Sequence, residues 1–482
     1  MMKLKNIKQV LFTIISLTIL SCDNVDFGDM NIDPNNPSDP STASLMTSAQ
    51  ISLSGYTTAT TPNLYVQYLS NGQYPEESQY ATVNYDYGAS YTNILVVLQR
   101  VIELNMDEST MVAAQANGSN NNQIAVAKIL TAYTYQLMTD RWGMLPYTEA
   151  LQGLDDIFAA YDTQEVIYDG LFNEIDEALA LIEGGNPGPT GDIILGGDMA
   201  RWRQFANTLK MNMAIRLSKR FPAPGGYAAT KFNEAISGAI ASNDDNLFYT
   251  YRAEENNDNP WEDRFLAPNF RLDYLLSDTF VNFLVGSGTP AAPEDPRLEQ
   301  YAVPSEISGT FVGAPYGEEN GNTPDYSFIT PDVIYNQEAP GYMFTYAQVA
   351  FARAEAAELG WIGGSAATFY EEGIAASMEQ WGVDPADAAI YIAAHPYTDI
   401  ADIAYEKYVA LYLQGYEAWA EWRKFGADAP TLVAPPTALS GTGIPQRQAY
   451  ATNASASNEE NYNAAVATQG PDNLDTVLWW AQ

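Results

Sequence analysis

The chain has 482 residues, a formal net charge of −38, one cysteine and one histidine. Apolar residues make up 46% of it, which excludes global disorder, and the length calls for several lobes or an extended helical array. So negative a charge repels phosphate backbones and anionic headgroups, arguing against a nucleic-acid partner, while one thiol and one imidazole leave no disulfide framework, thiolate cluster or His-rich metal centre.

The first segment reads as an address. Lys3, Lys5 and Lys8 precede an apolar stretch over 10–20. That stretch falls short of the about 20 residues a membrane span needs and suits the h-region of a secretory signal. Ile19-Leu20-Ser21-Cys22 resembles the lipobox of bacterial lipoproteins, which implies removal of residues 1–21 and lipidation of Cys22. Residues 22–40 are dense in Asp, Asn and Pro and read as an extended tether. Acidic residues directly after a lipidated Cys resemble the surface-export signal of Bacteroidetes, but in other Gram-negative bacteria they imply inner-membrane retention.

From residue 41 onward helical periodicity dominates and predicts a single domain. Ala127, Leu130, Tyr133 and Leu137 recur at spacings of three and four in 124–139, as do Ile167, Leu171, Ile175, Leu179 and Ile182 in 165–182. The second of these helices is expected to start at Asp162, with Glu165 completing a capping-box variant, and to stop at Gly184-Gly185. A third follows Asp198, carries Trp202, Phe205, Leu209, Met213 and Leu217, and ends before Pro222. Further helices are expected over 230–241, 342–359, 366–380 and 402–424. Neighbours form pairs: 124–139 with 165–182, 199–220 with 230–241, and 342–359 with 366–380. Ala366, Tyr370 and Gly373 have the small–aromatic–small spacing of a tetratricopeptide second helix. Long irregular stretches lie between, mainly 56–92, 184–198, 243–340 and 426–475, and loops of that length usually carry function.

The loops hold the candidate chemistry. Segment 65–92 interleaves Tyr74, Tyr80, Tyr85 and other tyrosines with Gln67, Asn71, Gln73, Gln79 and Asn84, and segment 256–274 combines Asn259, Trp261, Arg264, Phe270 and Arg271. Sugar rings stack their apolar C–H faces on aromatic rings and offer hydroxyls to amides, carboxylates and Arg, so such loops suit an oligosaccharide. The competing reading is that most of these tyrosines tie loops to helices through their hydroxyls. Trp261, in a polar Asn-rich stretch, is expected to be exposed. Carboxylate pairs such as Glu76-Glu77, Asp155-Asp156 and Glu254-Glu255 are plentiful, but adjacency in sequence does not create the two-carboxyl cleft of a glycosidase. No Walker loop, HExxH, GxSxG or EF-hand loop is present. His395, before Pro396, reads as structural or exposed.

One block resembles a known family. Met138-Thr139-Asp140-Arg141-Trp142-Gly143-Met144-Leu145-Pro146-Tyr147-Thr148-Glu149-Ala150-Leu151-Gln152-Gly153 is similar to the signature of SusD/RagB-like outer-membrane nutrient-binding lipoproteins, with Met144 where Asp is common. Supporting blocks follow in the family's order. They include Trp202-Arg203-Gln204-Phe205, Asp295-Pro296-Arg297-Leu298, Tyr346-Ala347-Gln348 (where Glu is frequent at the last position), Gly415-Tyr416-Glu417-Ala418-Trp419, Ile444-Pro445-Gln446-Arg447 and Trp479-Trp480. The resemblance implies an all-α fold of about four tetratricopeptide-like helix pairs with loop-rich insertions near 56–92, 243–340 and 426–475. It also implies a Bacteroidetes source, and therefore a lipid-anchored protein exposed on the outer-membrane surface.

Such proteins sit as a lid on a SusC-like, TonB-dependent barrel and pass it oligomers, usually glycans and sometimes peptides. The signature block itself reads as structural, with Asp140 and Arg141 pairing and Gly143 and Pro146 setting a turn. The expected function is therefore non-catalytic capture of an oligosaccharide by aromatic stacking, with no cofactor or metal and no membrane contact beyond the anchor. The acidic surface favours a neutral polysaccharide such as a β-glucan. The ligand candidates are Trp261, Tyr74, Tyr80, Tyr85, Asn259, Arg264 and Phe270, taken from local composition because the resemblance assigns none. A RagB-type peptide binder and, further off, an all-α glycosidase are the alternatives.

Overall fold

The computed structural model describes residues 40–153, 157–254, 256–266, 271–286, 294–320 and 323–482. The signal, Cys22, the tether to residue 39, and Phe270 lie outside the described residues. Thr42–Gln482 forms one compact unit.

Its longer helices are α1 Thr42–Ser54, α2 Val96–Met106, α3 Asn120–Trp142, α4 Gln164–Leu181, α5 Met199–Arg216, α6 Tyr227–Ala235 and α7 Asp278–Val285. They continue with α8 Tyr346–Glu358, α9 Ala366–Gln380, α10 Pro385–Ala394, α11 Ile400–Ala410, α12 Gly415–Phe425 and α13 Glu459–Gln469. The described strands form two-stranded antiparallel ribbons that stitch loops together. β1 (Leu69–Asn71) pairs with β5 (Tyr274–Leu276), and β2 (Leu145–Pro146) with β3 (Tyr161–Asp162). β4 (Leu247–Tyr249) pairs with β8 (Gly341–Phe344), and β6 (Ala302–Val303) with β7 (Phe328–Ile329). The fold is all-α, and α3 with α4, α5 with α6, α8 with α9, and α11 with α12 pack as neighbouring pairs.

The caps explain where these helices start. Asp198 caps α5, its carboxylate accepting from Ala200 N and Arg201 N. At α4 the cap is Thr163, one residue later than expected, because the Asp162 carboxylate is taken by the Thr148 amide and hydroxyl. Gln348 closes a capping box with Thr345 at α8, so the amide serves as well as the Glu frequent in the family. The sequence pattern does not predict α1, α2, α7, α10 or α13, of which α7 and α13 lie inside stretches expected to be irregular, and 342–359 begins as strand β8 before α8 takes over.

In the signature block Asp140 and Arg141 do not pair, because consecutive helical side chains point in different directions. Asp140 instead accepts from the Tyr168 hydroxyl at 2.7 Å and faces Arg216 at 3.5 Å. Arg141 lies over the rings of Trp142 (4.0 Å) and Tyr416 (4.3 Å) and donates to Gln448. The turn does depend on glycine: Gly143 has φ +83°, and a Cβ there would sit 1.8 Å from Gln469 Oε1. Thus the block fixes the end of α3, a helix buried on all sides.

The expected helix 402–424 is broken in two. α11 stops at Ala410, residues 411–414 turn a corner with Leu413 at φ +64°, and α12 begins at Gly415. Buried charge holds this corner. Arg216 on α5 reaches Glu417 at 2.6 Å and Glu421 at 2.8 Å on α12, and Glu421 also takes Lys407 of α11 at 2.7 Å and Lys424 at 2.8 Å.

Candidate functional site

The start of the predicted loop 256–274 owes its shape to Asn259. Its Oδ1 accepts from Trp261 N at 2.8 Å, capping the short helix Pro260–Phe265, and its Nδ2 donates to Ala339 O at 2.7 Å. Pro260 opens the helix, so Trp261 and Phe265, four residues apart, share its inner face. Trp261 is consequently buried, 2% exposed, where exposure was expected. Its ring meets Tyr274 edge-on at 6.1 Å, and the Arg264 guanidinium lies 4.8 Å from its centre.

Trp261 and Asn259 nevertheless line a half-open cavity of about 270 Å³. The remaining walls come from the 332–340 segment (Asp332, Val333, Asn336, Ala339, Pro340), from Tyr342 on β8, from Gln380 and Trp381 at the end of α9, from Tyr412, Leu413 and Gln414 at the α11–α12 corner, and from Thr57 and Thr58 after α1. Two indoles and two phenols thus meet a set of amides and hydroxyls.

Two polar atoms on residues of these walls, Trp381 Nε1 and Gln414 Oε1, are buried without a partner, while Gln380 has the Tyr342 hydroxyl as a hydrogen-bonding neighbour. Gln414 is only 8% exposed. A buried polar group left unpaired costs about 1–3 kcal/mol, so these atoms are a local cost to the fold beside the cavity. The backbone is strained at the same place. A leucine in the left-handed region costs about 1–3 kcal/mol, and Leu413 adopts it where the corner sets Gln414 against the cavity. Burial raises the Tyr342 hydroxyl above its usual range, partly offset by the neighbouring Gln380.

The other candidates fall elsewhere. Tyr74 is 45% exposed, with the Arg271 guanidinium 5.3 Å from its ring; Arg271 also lies 5.9 Å from Tyr274 and pairs with Asp273. Tyr74 and Trp261 therefore stand at two ends of one chain of ring and cation contacts, with Arg264 beyond Trp261. Tyr80 is buried edge-on against Tyr65 at 5.8 Å, and burial lifts its hydroxyl to about 12. Tyr85 accepts the Tyr65 hydroxyl at 2.8 Å and its carbonyl takes the Trp142 indole. Tyr80 and Tyr85 behave as loop ties, not as a platform.

Sequence reasoning missed Tyr342, Gln380, Trp381, Tyr412 and Gln414. A Gln-Trp-Gly run at the end of a predicted helix was the available signal.

Among the described residues Asp332 is the one carboxylate on the cavity wall, which does not match the paired carboxyls of a glycosidase. Asp258, Glu262 and Asp263 bring carboxylate oxygens within 4.8 Å of one another nearby.

The family model described as "Starch-binding associating with outer membrane", SusD-like, matches residues 34–451. The chain belongs to the SusD-like family. Solved structures of SusD-like folds agree with the fold described above. A chitin-binding protein superposes with a TM-score of 0.77 at 24% identity, covering 92% of this chain and 100% of its own. A SusD homologue from Bacteroides fragilis NCTC 9343 gives 0.76 at 23% identity, covering 90% and 100%. A chitin-binding SusD homologue from Flavobacterium johnsoniae gives 0.74 at 22% identity, covering 92% and 98%. No match is found among curated proteins. Membership carries association with the outer membrane, and no helix among the described residues is long and apolar enough to cross a bilayer.

Proposed function

We propose that this SusD-like protein captures a neutral oligosaccharide at the cell surface, holding it in the Trp261–Trp381 cavity, and hands it to a SusC-like TonB-dependent transporter without chemically altering it. The observation that carries this reading is the meeting of amides and hydroxyls with the partly exposed rings of Tyr342 and Trp381 around one half-open cavity. Sugar hydroxyls satisfy the first while the C–H faces stack on the second, at about 0.5–1.5 kcal/mol per ring beyond area. A net charge of −38, with no cationic side chain lining the cavity among the described residues, favours a neutral ligand. The chitin-binding relatives take a neutral glycan of this kind. Cys22 would supply the lipid anchor and residues 22–40 the tether, leaving the compact unit outside the membrane.

Calorimetric titration against neutral and anionic polysaccharides and peptides tests the reading. A neutral glycan should bind and change the tryptophan fluorescence. Trp381→Leu should weaken that binding by about tenfold, equal to 1.4 kcal/mol, as the loss of one stacked indole requires. Tight binding of peptides with no glycan binding would refute it. Delivery is tested separately: a large β-barrel should co-purify with the protein from detergent-solubilised outer membrane.

A further inference from the structure

Helix α10 is built unlike a surface helix. Of its residues Pro385–Ala394, Asp387 alone is charged. Ala388 and Tyr391 turn inward and join a core cluster with Ile374 and Met378 of α9. Ala386, Ala389, Ile390 and Ala393, at spacings of three and four, stand exposed on the opposite side, and Ile390 is 62% exposed. A helix apolar all round belongs inside a core, and a surface helix turns charge to water. α10 does neither.

An open groove runs along each flank of the helix. One, of about 730 Å³, is lined by Val383, Ala389 and Ile392 together with Glu372, Glu379 and Asp384. The other, of about 390 Å³, is lined by Ile390 and Tyr391 together with Glu294, Glu299 and Asp387. Six carboxylates thus surround one exposed apolar stripe, and among the described residues no Lys or Arg lines either groove. Of the six only Glu372 is ion-paired among those residues, to Arg353 at 3.3 Å. Burial and then the neighbouring Glu299 and Asp295 raise the Glu294 carboxyl, as uncompensated like charge does. An anionic membrane surface, or a second copy of a chain with net charge −38, would be repelled here. We infer that α10 and its two grooves dock a cationic amphipathic helix of a partner protein, its apolar side chains seated beside Ile390 and its Lys and Arg side chains meeting the six carboxylates. No residue of α10 lines the glycan cavity, so this docking is independent of glycan capture.

The probe is a synthetic peptide of about 18 residues, or about five helical turns, with Leu at spacings of three and four and Lys elsewhere. A scrambled peptide of the same composition and a peptide with Glu in place of Lys are the comparisons. By fluorescence anisotropy the amphipathic Lys peptide should bind at least about tenfold more tightly than either, and more weakly as salt rises from about 0.05 M to about 0.3 M. Ile390→Asp should weaken that binding at least about tenfold although it adds a negative charge, because it removes the apolar contact at the centre of the stripe. Val112→Asp adds the same charge at a side chain 77% exposed on another surface and should leave the affinity unchanged. Both variants should keep the wild-type melting temperature, since neither side chain is in the core. No binding of the Lys peptide would overturn the inference. So would equal binding of the scrambled peptide, or equal effects of the two variants, since either means diffuse attraction to an acidic surface. Dimerisation of the unliganded protein that Ile390→Asp abolishes would assign the face to a second copy and overturn it as well.

Discussion

At the residue scale, similar side chains in neighbouring loops have unlike roles. Asn259 and Tyr80 were equivalent candidates by composition, yet one builds the cavity wall and the other fills core. Asn259→Ala removes the cap on Trp261 N and the bond to Ala339 O, both buried. It should cost about 2 kcal/mol in urea denaturation and weaken glycan binding, because the wall carrying Trp261 loses its anchor. Tyr80→Phe is the control. Its hydroxyl meets Tyr316 at a long 3.5 Å and has Gln67 beside it, away from the cavity, so affinity measured by calorimetry should stay within about twofold, as expected for a change that leaves the aromatic packing intact. Local pattern could suggest that Trp261 matters, but not that a capped turn would rotate it inward. That depends on Ala339, eighty residues away.

At the element scale, the α11–α12 corner couples stability to the site. The apolar pattern over 402–424 is continuous enough to predict one helix, and no Pro or internal Gly before Gly415 marks the break. The break comes from tertiary contacts: Gly415 lies so close to the helix Thr60–Tyr65 that a Cβ would fall 2.7 Å from Asn63 N, and Glu417 and Glu421 must reach Arg216. Burial pushes the Glu421 carboxyl up, but Lys407, Lys424 and Arg216 outweigh it and hold it well below the usual carboxylate range. A depressed folded value means that its stabilisation is complete above the ordinary glutamate range and is lost as pH falls towards the folded value. Glu421→Gln leaves buried cations short of a partner and should cost about 3–5 kcal/mol near neutrality. The gap between wild type and variant, followed by denaturant unfolding from about pH 6 to about pH 3, should narrow as the wild-type glutamate loses its advantage. A constant gap would show that charge at Glu421 is not what holds the corner. Asp140 and Glu406 shift upward, through burial first, and act in the opposite direction over the same range.

At the scale of the whole molecule, the charge of −38 destabilises the compact state while leaving a neutral ligand indifferent. Raising ionic strength from about 0.01 M to about 0.3 M should therefore raise the melting temperature by screening repulsion, with glycan affinity unchanged. A strong salt dependence of affinity would point to an ionic ligand. What the sequence by itself determined was the all-α class, the helices α3 to α6, α8 and α9, the Asp198 cap and the family block at 138–153, all features written in local periodicity, capping chemistry or contiguous motif. What only the tertiary structure decided was the cavity. Its walls come from residues 57–58, 259–261, 332–342, 380–381 and 412–414. No local period links those segments, and they meet only because buried charge, helix packing and a strained corner bring them together.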